Sequence, residues 1–244
     1  MLSKNHCKLI NALKLKKNRT EKQLFVVEGV KSVKEVLKSD VIIEKLFQTP
    51  AVAEKFEGDF EKIEITEEEL KKISQLKQPA GILAVCKMPT YKLEIKENEL
   101  YLALDELNDP GNLGTIIRLA DWFGITQIIA SENTVDVYNP KVIQASMGSF
   151  TRIKVIYTDL EKFLQHYKQP IIGTFLEGEN LYQTSLPKQG VIIMGNEANG
   201  ISDTVKQLVT QKITIPHFGN RPTESLNVAM ATSIILSEFR RNQI

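Results

Sequence analysis

LYLALDELNDPGNLGTIIRLADWFG, residues 100–124, carries the local signals that decide the fold. Leu100–Leu104 is apolar at every position, the mark of a strand covered on both faces. Asn108, Asp109, Pro110 and Gly111 are turn formers. A helix is predicted over residues 113–123. One strand, one polar loop and one helix make a βα unit, and the same alternation repeats downstream. Strands are predicted at residues 127–130, 153–157, 171–175, 191–194 and 212–215. Helices are predicted at 141–147, 160–167 and 203–208, with a closing helix at 226–240. Short apolar strands alternating with helices predict an α/β fold built on a parallel sheet.

Upstream, the pattern is also α/β. Residues 2–17 predict one amphipathic helix with Leu9, Leu13 and Leu15 facing inward. Strands follow at 24–27, 42–47, 63–65 and 81–86, with a helix at Val30–Leu37. Thr66 with Glu69 makes a capping-box start for another helix. Residues 87–98, with Pro89 and polar flanks, predict a linker. The expected organisation is a small domain over residues 1–90, a linker over 91–98 and a larger domain over 99–244.

Bulk properties exclude several classes. Of 244 residues, 42% are hydrophobic and 25% charged, as in globular domains. Cys7 and Cys86 lie far apart, which argues against a disulfide scaffold and for a reducing compartment. His6, His166 and His217 are scattered, so no metal site is expected. No apolar run approaches the roughly 20 residues that span a bilayer. The basic N-terminus lacks the apolar core of a secretory signal, so a cytoplasmic protein without membrane association is expected. The net charge of +1 hides an asymmetry. Residues 1–90 carry 17 Lys+Arg against 13 Asp+Glu, and residues 91–244 carry 14 against 17. Lys4, Lys8, Lys14, Lys16, Lys17 and Arg19 occupy the first twenty residues with no acid among them. Such a strip attracts a polyanion, or is simply the solvated face of a helix.

In parallel α/β sheets, ligands bind at the carboxyl ends of the strands. Three loops there stand out. Residues 105–114 lead to Arg118, which shares a helix face with Gly114 and Asp121 and suits a phosphate. Residues 195–202, GNEANGIS, resemble a phosphate loop, but Ile201 stands where its lysine would be, so a nucleotide triphosphatase is rejected. What remains is a glycine-rich turn with one carboxylate, Glu197. Residues 216–227 end on Ser225 and Asn227 at the start of the last helix, where Ser225 is the expected N-cap. Around Ser146, QASMG lacks the first glycine of a nucleophile elbow, which argues against a hydrolase.

The three segments NDPGNLGTIIRLADWFG, IIMGNEANGIS and IPHFGNRPTESLNVAMATSII, in this order and each after a strand, strongly resemble the three motifs of the SpoU (TrmH-like) RNA ribose methyltransferases. FVVEGVKSVKEVL and GILAVCKMP resemble the ribosomal-protein-like substrate-binding domain that precedes the catalytic domain in many members. The resemblance implies a small N-terminal α/β RNA-binding domain followed by a parallel-sheet domain with a deep trefoil knot. It implies methyl transfer from S-adenosylmethionine to a ribose 2′-hydroxyl, with ribosomal RNA favoured over transfer RNA, and a homodimer with active sites at the interface. By motif match, Asn112, Arg118, Glu197, Ser225 and Asn227 are the catalytic positions. Thr174, Leu176, Met194, Gly195, Asn196, Ile215, Pro216 and Leu226 are the cofactor-binding positions. A non-catalytic RNA-binding or ribosome-assembly protein is the alternative class. One departure is the length of the loop at Asn220, Arg221 and Glu224, five residues between Gly219 and Ser225 where many members have three.

Overall fold

The structure is a computed structural model that describes residues 1–52, 56–219 and 225–241. Asn220, Arg221 and Glu224 of the lengthened loop lie outside the described residues. Packing divides the chain into two compact units. One joins Met1–Thr90 with Asp136–Arg152, and the other joins Tyr91–Val135 with the chain from Ile153 onward.

The first unit begins α1 (Lys4–Ala12), α2 (Lys16–Lys22), β1 (Leu24–Glu28), α3 (Val30–Leu37), β2 (Ile43–Gln48), β3 (Glu61–Glu64), α4 (Glu67–Ile73) and β4 (Ile82–Lys87). The strands form one sheet in the order β1-β4-β2-β3. β4 runs antiparallel to β1 and β2, and β3 is parallel to β2. Ile10 and Leu13 pack with Val26, Phe47, Leu70 and Leu83 in its core. The Thr66–Glu69 capping box forms as expected, each side chain bonded to the other's backbone N–H.

The single helix expected over residues 2–17 is instead two. α1 stops at Ala12, and Leu15 precedes α2 as its N-cap, 64% exposed rather than packed inward. Arg19 explains the break. Its Nη1 donates to the carbonyl oxygens of Leu13 and Lys14, both at 2.9 Å, and so satisfies acceptors that the end of a helix leaves open. Its Nε and Nη2 donate to Asp136 Oδ2 at 2.9 and 2.5 Å. Arg19 is only 2% exposed, so it leaves the basic strip and becomes part of the core. Asp136 belongs to a segment that the sequence pattern places in the second domain but that packs in the first unit.

The second unit contains β5 (Leu100–Leu104), α5 (Pro110–Trp122) and β6 (Gln127–Ser131). After it, α6 (Pro140–Ser146) and a 3-10 turn at Ser149–Thr151 belong to the first unit. The second unit then resumes with β7 (Lys154–Thr158), α7 (Leu160–His166), β8 (Ile171–Asn180), β9 (Gly190–Met194), α8 (Asp203–Lys206), β10 (Gln211–Thr214) and α9 (Val228–Arg241). Its sheet is parallel throughout, in the order β10-β8-β9-β5-β6-β7. Every residue of β5 and β9 is buried, as the continuous apolar runs predict. From β5 the chain steps outward to β6 and β7, and then β8 and β9 are laid down on the other side of β5. The β5/β9 boundary is therefore the topological switch point, where successive connections diverge and leave a crevice at the carboxyl ends.

Two boundaries differ from expectation in ways that shape this crevice. α5 starts at Pro110, not at 113, because the Asp109 side chain accepts the Asn112 N–H at 2.8 Å and proline is tolerated in a first helical turn. β8 runs to Asn180, but its pairing with β10 jumps from Gly173↔Lys212 to Glu179↔Ile213, and its pairing with β9 ends at Gly173. Residues 174–178 thus lie outside both strand ladders.

Asp136→Ala leaves the buried Arg19 guanidinium without its carboxylate. It should destabilise the protein by about 3–5 kcal/mol in urea unfolding. Thr66→Ala should cost about 1 kcal/mol through loss of the cap.

Candidate functional site

The crevice at the switch point is closed by side chains, since no strand ladder continues across it. Glu197, in the turn after β9, reaches the loop after β5. Its carboxylate accepts the backbone N–H groups of Asn108 (3.3 Å) and Asp109 (3.1 Å) and the Asn112 Nδ2 (3.0 Å). Asn112 Oδ1 in turn accepts the Asn227 Nδ2 at 2.9 Å. Asn227 Oδ1 accepts the N–H groups of Ala229 and Met230 and so caps α9. Three of the five expected catalytic residues, Glu197, Asn112 and Asn227, therefore form one hydrogen-bonded series across three loops.

The series leaves the Glu197 carboxyl below its ordinary value. Burial alone pushes its carboxyl up, but the Asn112 amide and the backbone N–H groups outweigh that effect. A lowered pKa stabilises the site above the unfolded value. That stabilisation is lost as pH falls through the lower folded value. A carboxylate with this many donors is a poor proton acceptor and a good staple.

The other two expected catalytic residues stand apart from this series. Arg118 is exposed and makes no hydrogen bond or ion pair among the described residues. Six residues along α5 place it about 9 Å from Asn112 in axial rise. Glu197 makes no bond to it. Ser225 is exposed and does not cap α9, a role that Asn227 takes. Two residues escaped the sequence reading. Asp105, buried at the end of β5, accepts the Ser202 N–H at 2.7 Å and holds the far end of the glycine-rich turn. Asp109 caps α5. An acid directly after an apolar strand and an Asp before Pro were the available signals.

The expected cofactor positions gather at the carboxyl ends of the adjacent strands β8, β9 and β10. Met194 ends β9, buried. Gly195 follows, where a Cβ would stand 2.2 Å from the Gly200 carbonyl carbon, so only glycine lets the turn close on itself. Asn196 braces that turn: its Oδ1 accepts the N–H groups of Ala198 and Asn199, and its Nδ2 donates to the Glu106 carbonyl. Thr174 Oγ1 donates to the Ile193 carbonyl, and Leu176 O accepts the Thr214 hydroxyl. The Leu176 side chain is 74% exposed and that of Leu226 51%. Ile215 and Pro216 directly follow β10 and are half-buried. An unpaired backbone stretch, exposed apolar side chains and a turn without room for a side chain suit a flat, partly polar ligand. Among the described residues, no group of three His, Cys, Asp or Glu could hold a metal ion.

The Glu197 carboxyl should titrate below the ordinary glutamate value in carbon-detected NMR, and Asn112→Ala should move it upward. A carboxyl that is not lowered in the intact protein, or that Asn112→Ala leaves unmoved, would contradict the series.

The SpoU rRNA Methylase family model matches residues 99–237, and the MRM3-like substrate binding domain model matches residues 4–84. The chain is 30% identical over 234 residues to the 23S rRNA (guanosine(2553)-2′-O)-methyltransferase RlmP of Bacillus subtilis, covering 93% of each. Among solved structures, an RNA methyltransferase assigned to the TrmH family from Porphyromonas gingivalis superposes with a TM-score of 0.90 at 38% identity, covering 99% of both chains. An AdoMet-bound rRNA methyltransferase from Sinorhizobium meliloti superposes with a TM-score of 0.88 at 30% identity, covering 100% of this chain and 97% of the other. With a switch-point crevice on a parallel sheet, and with both family models matched in order, this chain belongs to the SpoU family of RNA methylases.

Proposed function

We propose that this protein is an S-adenosylmethionine-dependent methyltransferase that acts on a ribose 2′-hydroxyl in ribosomal RNA. The observation that carries the reading is the series Glu197–Asn112–Asn227 at the switch point of a chain in this family. The residues present fit the cofactor. Gly195 and Asn196 form a turn that a ligand can approach closely, Thr174 and Leu176 border the unpaired part of β8, and Met194, Ile215, Pro216 and Leu226 supply apolar surface. When bound, S-adenosylmethionine supplies a methyl group on a sulfonium centre, which demands alignment and a more nucleophilic oxygen rather than a strong acid.

The chain's own residues meet those demands. A guanidinium hardly ever gives up its proton, so Arg118 acts as a fixed charge that holds a phosphate and stabilises negative charge developing on the 2′-oxygen. Asn112 and Asn227 orient the ribose, and the exposed Ser225, two residues before Asn227, offers a hydroxyl with no partner among the described residues. Glu197 is a positioning residue that keeps Asn112 and the start of α5 in place.

A second copy of the chain completes the enzyme in this reading. Trp122 near the end of α5 is 84% exposed and Met230 on α9 is 65% exposed, although α5 and α9 pack on each other. Large apolar side chains on such a surface suit a homodimer. The deep trefoil knot is part of the same reading. β10 lies at the sheet edge, yet Asn227, which follows it in sequence, bonds Asn112 in the first turn of α5, the helix that follows the central strand β5. The likeness in fold over nearly the whole chain to a solved SpoU methyltransferase supports it.

RNA selection falls to the first unit. Lys4, Lys8, Lys14 and Lys17 are exposed there. No helix among the described residues is long and apolar enough to cross a membrane. In this reading the enzyme works in the cytoplasm. Removing residues 1–90 is a poor test of selection, because it strips the packing partners of Asp136–Arg152.

Methyl transfer to protein-free 23S ribosomal RNA should exceed transfer to bulk transfer RNA. Transfer to neither would overturn the proposal. Arg118→Ala should lower turnover by about 10²–10³-fold with S-adenosylmethionine affinity unchanged, and Arg118→Lys should recover part of it. Changing Lys4, Lys8 and Lys17 together to Gln should weaken RNA binding and flatten its salt dependence by about one unit of log–log slope per lost phosphate contact.

A further inference from the structure

The first unit contains a cavity of about 250 Å³ that none of the residues assigned above to the chemistry lines. Lys14, Val26, Glu28 and Gln75 line it together with Lys141 and Ile143 of the α6 segment. Both sets belong to the first unit, so the cavity exists only because that segment packs there.

Its polar groups are only half used. Glu28 Oε2 accepts the Ser74 hydroxyl at 2.5 Å, and Oε1 accepts the Gln75 N–H at 2.8 Å. A carboxylate has about four lone-pair positions, so each oxygen keeps capacity for another donor. The Gln75 Nε2 is buried and has no hydrogen-bond partner among the described residues. A buried amide left unpaired costs about 1–3 kcal/mol, which a ligand acceptor would relieve. Val26 and Ile143 add apolar surface, and Lys14 and Lys141 add positive charge.

We propose that this cavity receives one unpaired guanine base of an RNA, with Glu28 and Gln75 reading its Watson–Crick edge. The proposal rests on the reading that the chain binds RNA. Guanine presents two adjacent donors, N1–H and N2–H, next to one acceptor, O6. Two open carboxylate oxygens beside one donating amide are the complement of that edge. Adenine and cytosine each offer a single exocyclic amine, and uracil a single imide N–H, so each would leave one carboxylate oxygen without a second donor. The apolar residues take the ring face, and the lysines take the flanking phosphates, as in recognition of splayed-out RNA bases. Burial raises the Glu28 carboxyl above its ordinary range against the opposing Ser74, Gln75 and Lys14 contributions, which fits a group short of donors.

The test uses the full chain and four RNA hairpins that differ only in one bulged nucleotide, G, A, C or U. The G hairpin should bind at least about tenfold more tightly than the other three, the discrimination expected of a good bidentate base contact. Glu28→Gln replaces one acceptor by a donor, and Gln75→Leu removes the amide. Each should shrink the preference to less than threefold. Equal affinity of the unchanged protein for all four hairpins overturns the proposal, whatever the variants do. So does a preference that survives in both variants. Binding to a 23S ribosomal RNA transcript without preference among the hairpins refutes the pocket alone. No binding to any RNA refutes the RNA reading as well.

Discussion

The Glu197 carboxylate is the contact on which the second unit's site depends. At the switch point between β5 and β9 the connections diverge, and past the Asp105 N–H to Met194 carbonyl bond the loops are held to each other through side chains. Glu197 supplies that hold by accepting the N–H groups of Asn108 and Asp109, just before α5. A negative charge is favoured there, because the start of a helix leaves N–H groups unpaired. Asn112 then passes the constraint to Asn227, which fixes the start of α9. One ionised side chain thereby sets the geometry of three segments, with Asn112 lying 85 residues from Glu197 and 115 from Asn227 in sequence.

Much of this was legible in the chain. Strands β5 and β9 are continuous apolar runs because both faces are covered, and that pattern marks them without any knowledge of neighbours. The loops at 105–114 and 195–202 follow such strands and are rich in turn formers, so their place at the carboxyl ends was readable too. The break in the first helix was not. Arg19 reads as one more cation in a basic strip, and only its partner Asp136, 117 residues away, turns it into a buried connector. The register jump in β8 was equally hidden, because it arises from pairing with β10 and leaves no local signature. Ser225 was expected to cap α9 on residue type alone, and Asn227, equally able to cap, does so while also bonding Asn112.

The two units divide the work by chemistry. The first carries the exposed N-terminal lysines and a cavity lined by a buried amide without a partner among the described residues. The second carries a rigid parallel sheet whose loop ends converge on one crevice. The near-zero net charge is the sum of a basic front and a mildly acidic rear, so it describes neither. Arg19 tempers that picture, since one of the six N-terminal cations is spent inside the fold.

The claim that this crevice methylates a ribose hydroxyl is tested most directly by locating the methyl group. Ribosomal RNA incubated with the protein and methyl-labelled S-adenosylmethionine is digested to nucleosides and separated. The account predicts that the label runs with a 2′-O-methylnucleoside and disappears from base released by acid. Label retained on a free base, or no label in any nucleoside, would contradict it.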